Sequence, residues 1–398
     1  MKVVVVVRRE IDLDNNATTQ PLPEVRDAVV HALLNGLGNP SSIHAAGQRA
    51  RDALRISRQS LASLIAAEPA HLVFTSGATE ANNLVFYSAA RWQPRARIIT
   101  TAVEHSSVLR PCEALLHHGA DVVTLPVDHR GLIDLDQLAA TLTPDTTLVS
   151  VQWANSETGV IQPIEAIGDL CRSRQIPFHT DAAQAVGKLP VSLANVPVDF
   201  LSLSGHKFHA PMGTGALFAR QPRRLLPLLS GGDQEHGLRA GTENLPGIVG
   251  LGVAATARQS RFGEVQLHLS ELRDRFEALV LQLVPDVVVN GAGAERLVNT
   301  SNLQFVGVDG QALVARLDQA GICCSQSTAC TSGRPEPSAV LRAMGLSEEQ
   351  AYASVRFAVG EGTTSDDVET AARTIAEICE SQRVFRKTHR RPALSEVH

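Results

Sequence analysis

The sequence is poor in aromatic residues and has no excess of positive charge. Aromatic side chains make up 4% of the 398 residues, so no platform for stacking single-stranded nucleic acid is evident. The formal net charge is −5, so the sequence shows no excess of basic residues of the kind that nucleic-acid-binding proteins carry. We therefore expect no nucleic-acid partner.

Long hydrophobic runs and targeting signals are also missing. No apolar run approaches the length that spans a bilayer. Residues 1–10 contain five consecutive valines, but this segment is too short for a signal peptide and lacks a small-residue cleavage site. We predict a β-strand there, no membrane partner and a cytoplasmic location.

Cysteine is sparse, and its spacing excludes two common structural uses. The pattern matches neither a zinc site nor a small disulfide framework, so we predict no metal site. In a reducing compartment these residues are expected to be free thiols, one of which is a candidate nucleophile. The six cysteines are Cys112, Cys171, Cys323, Cys324, Cys330 and Cys379.

The length and the apolar pattern predict two domains. A chain of 398 residues with 44% hydrophobic and 19% charged residues suits two globular domains. Short apolar runs alternate with helical stretches between residues 72 and 217, which predicts an α/β fold with a mostly parallel central sheet. The predicted strands are Leu72–Thr75, Arg97–Thr101, Leu148–Trp153, Pro177–Asp181, Phe200–Ser204 and Gly215–Ala219, and the helices between them include Ala78–Ala90 and Ile164–Arg174.

The rest of the chain predicts a smaller α+β domain. A long helical pattern runs from Ala254 to Val284, and shorter elements follow. We place the large domain at 16–255 and the small domain at 1–15 with 256–398. The shorter elements are strands near Asn299–Phe305 and Gly321–Cys323 and helices near Pro337–Met344 and Ser365–Phe385.

Polar residues follow five of the predicted strands, where open α/β sheets bind their ligands. Residues 75–80 form a turn of small residues that opens a helix, which suits a phosphate, although a plain helix cap explains the segment equally well. His105 is a candidate for stacking on a flat ring or moving protons, or else an ordinary loop residue. Asn155 offers an amide, but asparagine is also common in turns.

The two remaining segments carry opposite charges. Asp181 ends a buried strand and needs a cationic partner, such as a protonated pyridine nitrogen, or serves as a helix cap. Lys207 stands in an apolar strand-end context that favours a nucleophilic amine, as a Schiff base requires, and Ser204 and His206 beside it can bind phosphate. A surface lysine is the alternative. Together, the five segments predict a site for pyridoxal 5'-phosphate (PLP).

Several further stretches give the chain a specific resemblance. The sequence resembles the group I cysteine desulfurases (NifS/IscS type) of the class V aminotransferase superfamily, which have PLP fold type I. The resemblance runs from residue 13 to beyond Arg356. It is carried by residues 13–19 (LDNNATT), 39–44 (NPSSIH), 231–235 (GGDQE), 239–244 (RAGTEN) and 354–357 (SVRF).

The resemblance implies a role for each matching residue. Lys207 would hold PLP, Asp181 would pair with the ring nitrogen, and His105 would stack on the ring. Asn155 and Arg356 would bind the substrate. The other cofactor contacts implied are Gln184 and Asn155 at the phenolate oxygen, Ala78, Thr79, Ser204 and His206 at the phosphate, and Thr242 from a second subunit of a homodimer.

Cys330 lies in a run of small residues, glycine and proline at 327–337, which resembles the long catalytic loop of group I enzymes. The resemblance implies that Cys330 and Lys207 are catalytic, with His105 as acid and base. Cys323 and Cys324 follow a predicted strand and are expected to be buried and inert. The sequence departs from the family at Ser156, Ala210, Met212 and Asp233, none of which removes a catalytic group.

The implied reaction is removal of sulfur from L-cysteine, which gives L-alanine and a persulfide on Cys330. The persulfide would pass to a sulfur acceptor or an iron–sulfur scaffold protein. A selenocysteine or cysteine-sulfinate lyase on the same fold is an alternative, and a need for Cys330 separates the two. A regulator of sulfur assembly without catalysis is the non-enzyme alternative, and the intact Lys207, Asp181, His105 and Cys330 argue against it.

Overall fold

The computed structural model describes residues 10–35, 38–326 and 337–389, with side chains as far as Phe385. The strand expected at residues 1–10 lies outside these ranges except for Glu10. The strands are β1 (Ile11–Asp12), β2 (Leu72–Thr75), β3 (Arg97–Thr101), β4 (Asp121–Leu125), β5 (Thr146–Ser150), β6 (Phe178–Asp181), β7 (Phe200–Ser204), β8 (Gly215–Ala219), β9 (Val287–Val289), β10 (Thr300–Phe305), β11 (Ile322–Cys323) and β12 (Ser354–Ala358).

The helices cover both faces of the larger sheet and pack on the smaller one. They are α1 (Pro23–Leu34), α2 (Ala45–Leu64), α3 (Ala78–Ala89), α4 (Ser106–His117), α5 (Leu135–Thr141), α6 (Ile164–Ser173), α7 (Leu245–Ser260), α8 (Phe262–Leu283), α9 (Gly310–Gln319), α10 (Ala339–Ala343), α11 (Glu348–Tyr352) and α12 (Ser365–His389). None of the helices in the described ranges combines the length and the apolarity that crossing a bilayer requires.

Seven strands form the central sheet in the order β2-β8-β7-β6-β5-β3-β4. The pairs from β7 to β4 are parallel, and β8 alone runs antiparallel to both of its neighbours. Most of these strands are buried along their whole length, since helices cover both faces. The predicted α/β class with a mostly parallel central sheet is confirmed.

A second hydrophobic core contains Leu13, near the start of the described chain, and residues of its last helix. Leu13 packs in one cluster with residues of α8, β10, β12 and α12. Strand β1 pairs in parallel with β11, while β9, β10 and β12 form a separate antiparallel sheet. Helix α7 packs against α1 and α2, on the side of the central sheet. The domain limits given above stay a prediction.

Two expectations about individual elements are wrong. The predicted helix 254–284 is two helices, α7 and α8, because the backbone leaves the helical region at Arg261 (φ −113°, ψ 13°). The predicted strand Leu148–Trp153 begins two residues earlier and ends at Ser150. Strands β4 and β9 were not expected from the sequence. Both are rich in valine, but each lies at an edge of its sheet and carries exposed or half-exposed positions.

Candidate active site

A cavity of about 440 Å³ opens beyond the carboxyl ends of β2, β3, β5, β6 and β7. Parallel strands end at one edge of their sheet, so residues far apart in sequence converge there. Nine of the twelve predicted site residues line this cavity. They are Ala78, Thr79, His105, Asp181, Gln184, Ser204, His206, Lys207 and Arg356.

The N-terminus of α3 forms one end of the cavity. Gly77 caps the helix without a side-chain hydrogen bond, so backbone N–H groups of the first turn are open to an anion. The hydroxyls of Thr79 and Ser204 lie in the same wall. A Cβ on Gly77 would stand 3.4 Å from Ser204 Oγ and narrow this end. The donor set fits a phosphate group.

His206 adds an uncharged imidazole to the same end. Burial, reinforced by the nearby charges of Lys207 and Lys188, lowers the pKa of His206 to about 4. Its Nδ1 lies 3.1 Å from Thr18 Oγ1. The ring therefore acts near neutral pH as a hydrogen-bonding group and not as a cation.

Asp181 lies at the end of β6 with its carboxylate buried and only partly satisfied. Oδ2 accepts from Asn82 Nδ2 at 2.8 Å, and Oδ1 accepts from the Ala183 N–H at 3.0 Å. The side chain lines the cavity, where a protonated ring nitrogen would supply a cationic partner. The carboxylate thus fits the pyridine end of PLP.

His105 is held in one tautomer by the start of α4. As the N-cap residue it accepts the backbone N–H of Ser107 on Nδ1 at 3.1 Å, and the Ser107 hydroxyl lies 2.7 Å from the same nitrogen. We infer from this acceptor role that the neutral ring carries its proton on Nε2. Asn82 donates both to Ser107 Oγ and to Asp181 Oδ2. Its amide therefore connects Asp181 with the hydroxyl that contacts His105.

Lys207 follows β7 in a short 3-10 turn, and its amine is hydrogen-bonded across the cavity. Nζ donates to the carbonyl oxygens of Asn16 and Ala17 at 2.7 and 2.8 Å. The segment 16–17 lies 190 residues upstream, between β1 and α1. The side chain of Lys207 therefore reaches from the end of β7 to the loop between β1 and α1.

Arg356 on β12 is a fully buried side chain, with 2% of its surface exposed. Nη2 pairs with Asp14 Oδ1 at 2.6 Å, and Nη1 donates to the Ser156 carbonyl at 3.2 Å. Within the described part of the chain, its Nε donor has no acceptor. A guanidinium in the wall of a cavity suits a carboxylate ligand, because its planar donors can bind both carboxylate oxygens.

Two predicted residues, Asn155 and Thr242, do not line the cavity, and a third lies outside the described residues. Asn155 is buried behind the wall formed by its neighbours Ala154 and Ser156. Its Oδ1 accepts the N–H groups of Glu157 and Thr158, and its Nδ2 donates to the Val103 carbonyl, so the amide holds the loop after β5. This geometry gives no support to a direct contact with ligand.

The other two predicted residues are distant or undescribed. Thr242 is exposed and does not line the cavity, so its expected contact across a dimer stays a prediction. Cys330 lies outside the described residues. Cys323 and Cys324 are partly exposed, which corrects the expectation that they are buried. Burial and nearby acidic groups still raise the pKa of both thiols, that of Cys324 to about 12, so neither is a ready thiolate.

Sequence reasoning assigned no role to several residues that organise the cavity. Asn82 fixes Asp181, while Asn16 and Lys188 bond to the lysine and glutamine of the site. Glu104, beside His105, is buried, which raises its pKa to about 8 despite hydrogen bonds from Thr101 and the Gln152 N–H. Asn16 lies inside the segment 13–19 and Glu104 directly precedes His105, but most of their partners come from elsewhere in the chain.

The comparisons with known proteins agree with this geometry. A model of the family described as aminotransferase class-V matches residues 11–370. The chain is 46% identical over 376 residues to a protein of Trichormus azollae named cysteine desulfurase, and the match covers 94% of each.

Solved structures show the same fold. A NifS-like protein matches with a TM-score of 0.88 and 32% identity, over 94% of this chain and 100% of that one. A structure described as "SspA in complex with cysteine" matches with a TM-score of 0.76 and 34% identity, over 88% of this chain and 99% of that one. The predicted fold type is confirmed by these neighbours.

Proposed function

The chain belongs to the aminotransferase class-V family, and from this premise we infer that it is a cysteine desulfurase. The reaction moves one sulfur atom: the Cβ–S bond of L-cysteine breaks, an S–S bond to Cys330 forms, and L-alanine leaves. The observation that carries this proposal is the convergence of Lys207, Asp181, His105 and Arg356 on one cavity.

We propose PLP as the cofactor, because the cavity matches each of its parts. The α3 N-terminus with Thr79, Ser204 and His206 would hold the phosphate, and Asp181 would hold the ring nitrogen. When bound, PLP supplies an electron-withdrawing ring that stabilises negative charge on the substrate carbons.

The protein's own groups would handle binding and protons. Lys207 Nζ would attach the cofactor and, once released, move a proton at the substrate α-carbon. His105 would exchange protons with the substrate through Nε2, because its Nδ1 is engaged by Ser107. Arg356 would bind the substrate carboxylate, and its place in the cavity wall supports that role.

The ends of the Cys330 segment support the sulfur-accepting role. Ser325 exchanges two backbone hydrogen bonds with Arg356, at 2.6 and 3.2 Å. Cys330 follows Ser325 by five residues, and an extended chain of that length spans at most about 17 Å. At the far end, Ser338 donates to the Glu157 carboxylate. The described residues that flank the Cys330 segment are therefore held by Arg356 on one side and by Glu157 on the other.

Replacement of the thiol tests the proposal. In Cys330→Ala we expect PLP binding and the first absorbance change with L-cysteine to be retained, since both precede sulfur transfer. Alanine formation should fall to background. Mass spectrometry of the wild type after brief exposure to cysteine should show one added sulfur on the peptide that contains Cys330.

Cys323→Ala is the matched control, because it removes a partly exposed thiol near the same segment. We expect it to turn over cysteine like the wild type. Normal desulfuration by Cys330→Ala, or added sulfur on Cys323 or Cys324 alone, would contradict the mechanism and favour the selenocysteine or cysteine-sulfinate lyase. Absence of alanine from the wild type with PLP would favour the non-catalytic regulator.

We also propose that the enzyme works as a cytoplasmic homodimer that passes its persulfide to an acceptor such as an iron–sulfur scaffold protein. The exposed Thr242, which does not line the cavity, supports a role across a subunit interface. Analytical ultracentrifugation tests the dimer, and a monomer at micromolar concentration would contradict it. Transfer of labelled sulfur to a scaffold protein tests the acceptor.

A further inference from the structure

The chain uses arginine for nearly all of its positive charge. Of its 36 basic residues, four are lysines: Lys2, Lys188, Lys207 and Lys387. Two of these, Lys188 and Lys207, are the lysines whose side chains the structure describes, and they meet at one site. Arginine stays protonated in proteins, whereas a buried lysine can lose its proton. A lysine at position 188 therefore indicates a role for which a permanently charged guanidinium is unsuitable.

The side chain of Lys188 is enclosed, with 5% of the residue exposed. Its Nζ donates to Gln184 Oε1 at 2.6 Å and to Asn16 Oδ1 at 2.7 Å. Both partners are neutral, and among the residues that the structure describes no carboxylate forms an ion pair with it. A buried amine without a counter-charge is unusual, since burial of an unpaired charge is costly.

The turn that places Lys188 requires glycine. Gly187 has φ +80°, and a Cβ there would stand 2.5 Å from the Cβ of Phe208, the residue that follows Lys207. The two lysine-bearing segments thus pack against each other through a position without a side chain. The backbone is built to bring the second amine close to the first.

The charges around Lys188 are all of its own sign. Burial, then the cations Lys207 after β7, Arg356 on β12 and Arg258 on α7, lower the pKa of Lys188 well below its ordinary value. His206 also faces this group, and the pKa of His206 is lowered too. The amine has at least two N–H bonds, one for each of the two acceptors that Lys188 contacts.

The bonds of Lys188 extend to the catalytic amine. With its Oε1 fixed by Lys188, Gln184 directs Nε2 to the Asn16 carbonyl at 2.9 Å. The same carbonyl accepts from Lys207 Nζ at 2.7 Å. Displacement of the Lys188 amine would therefore disturb the Gln184 amide and the support of Lys207 together.

The side chain of Asn16 links these hydrogen bonds to Arg356, the predicted substrate-binding residue. Its Nδ2 donates to the Ser156 carbonyl at 3.1 Å, and that carbonyl also accepts from Arg356 at 3.2 Å. We propose that Lys188 is a positioning residue of the active site, which orients the Gln184 amide and the Asn16 loop and through them the amine of Lys207. This inference rests on the proposed function, because it assumes that Lys207 holds the cofactor.

Two variants of the holoenzyme separate positioning from charge. Lys188→Met keeps the length and loses the hydrogen bonds, so we expect PLP affinity and kcat to fall about tenfold or more, with KM for L-cysteine changed by less than about threefold. Lys188→Arg keeps donors but adds a permanent charge, so the absorption band of the lysine-bound cofactor should also titrate at a lower pH than in the wild type.

Arg220→Met is the matched control. It also removes a basic side chain that donates to buried groups, here the carbonyls of Val198 and Leu193, and it does not line the cavity. We expect its cofactor titration and its KM to match the wild type. The proposal is overturned if both Lys188 variants match the wild type within about twofold in PLP affinity and kcat, and if their cofactor absorption bands titrate at the wild-type pH.

A measurement on the wild type covers the case in which a variant fails to fold. With four lysines in the chain, ¹³C labelling at lysine Cε gives few signals, and the Lys188→Arg spectrum assigns one of them. We expect the Lys188 signal to titrate well below the ordinary lysine pKa. The same signal should shift when PLP binds, and a Lys188 signal that PLP leaves unchanged would contradict the proposal. Loss of alanine formation by the wild type would instead contradict the proposed function.

Discussion

At the residue scale, burial decides how each side chain can act. Arg356 is surrounded by protein on almost every side and pairs with the Asp14 carboxylate. The pairing fixes the guanidinium plane in the wall of the cavity. Cysteine carries a carboxylate that a guanidinium can bind, so we expect the loss of Arg356 to weaken substrate binding first.

We expect Arg356→Ala to raise KM for L-cysteine about a hundredfold, because a charge-assisted contact to a buried carboxylate is lost. Steady-state kinetics measure the effect, and the absorbance of bound PLP checks that the site is intact. Arg373→Ala is the control, since this exposed arginine makes only a long ion pair with Glu369 at 3.8 Å. An unchanged KM and kcat would mean that Arg356 has a structural role.

At the element scale, the phosphate end of the cavity depends on how β8 meets the turn before α3. Gly215 on β8 lies so close to this turn that a Cβ would stand 2.6 Å from the Gly77 Cα and 2.5 Å from the Leu203 carbonyl oxygen. The antiparallel strand thus supports the start of the helix that would bind the phosphate. Gly77 lies in the turn 75–80 discussed above, whereas Gly215 is a single glycine at the start of a strand and nothing in the sequence marks it.

We expect Gly215→Ala to push the turn outward, which should weaken PLP binding about tenfold and destabilise the fold by about 1–3 kcal/mol. Titration of the apoprotein with PLP and thermal unfolding measure the two effects. Gly263→Ala in α8 is the control, because a Cβ on that residue would meet no atom within 4 Å. If Gly215→Ala keeps the PLP affinity and melting temperature of the wild type, the turn accommodates the added Cβ without cost and the prediction is contradicted.

At the scale of the whole molecule, the carboxylate of Glu361 joins the segment after Arg356 to the segment after Lys207. Glu361 follows β12 and lies 3.2 Å from His209 Nε2 and 3.4 Å from Arg261 Nη1, and it also pairs with Arg258 of α7. Burial alone would raise the pKa of Glu361, but the hydrogen bond from His209 and the charges of Arg258 and Arg261 lower it to about 2.

A lowered pKa makes the contribution of Glu361 dependent on pH. The stabilisation is complete above the unfolded pKa of about 4.5 and is lost as the pH falls toward about 2. We expect Glu361→Gln to lower the free energy of unfolding at about pH 7, with a smaller difference from the wild type at about pH 4. Urea unfolding at both values measures this. Glu113→Gln, which removes an exposed ion pair, should show little change, and a pH-independent effect at Glu361 would contradict the argument.

The sequence by itself determined the class of the fold, the family and the segments that build the site. Short apolar strands followed by polar residues predict a mostly parallel sheet with a ligand at its carboxyl edge, since that pattern is local. The resemblance to class V aminotransferases is confirmed by the family model over residues 11–370. The roles given to Lys207, Asp181 and Cys330 stay predictions.

Only the tertiary structure decided which groups meet at that edge and in which charge state. Asn16 bonds to Lys207 across 191 positions and Asn82 to Asp181 across 99, and no local pattern records such pairs. The split between α7 and α8, the buried amide of Asn155 and the lowered pKa of Lys188 follow in the same way. Packing brings distant segments together, and burial among particular neighbours sets the hydrogen bonds and the protonation of each group.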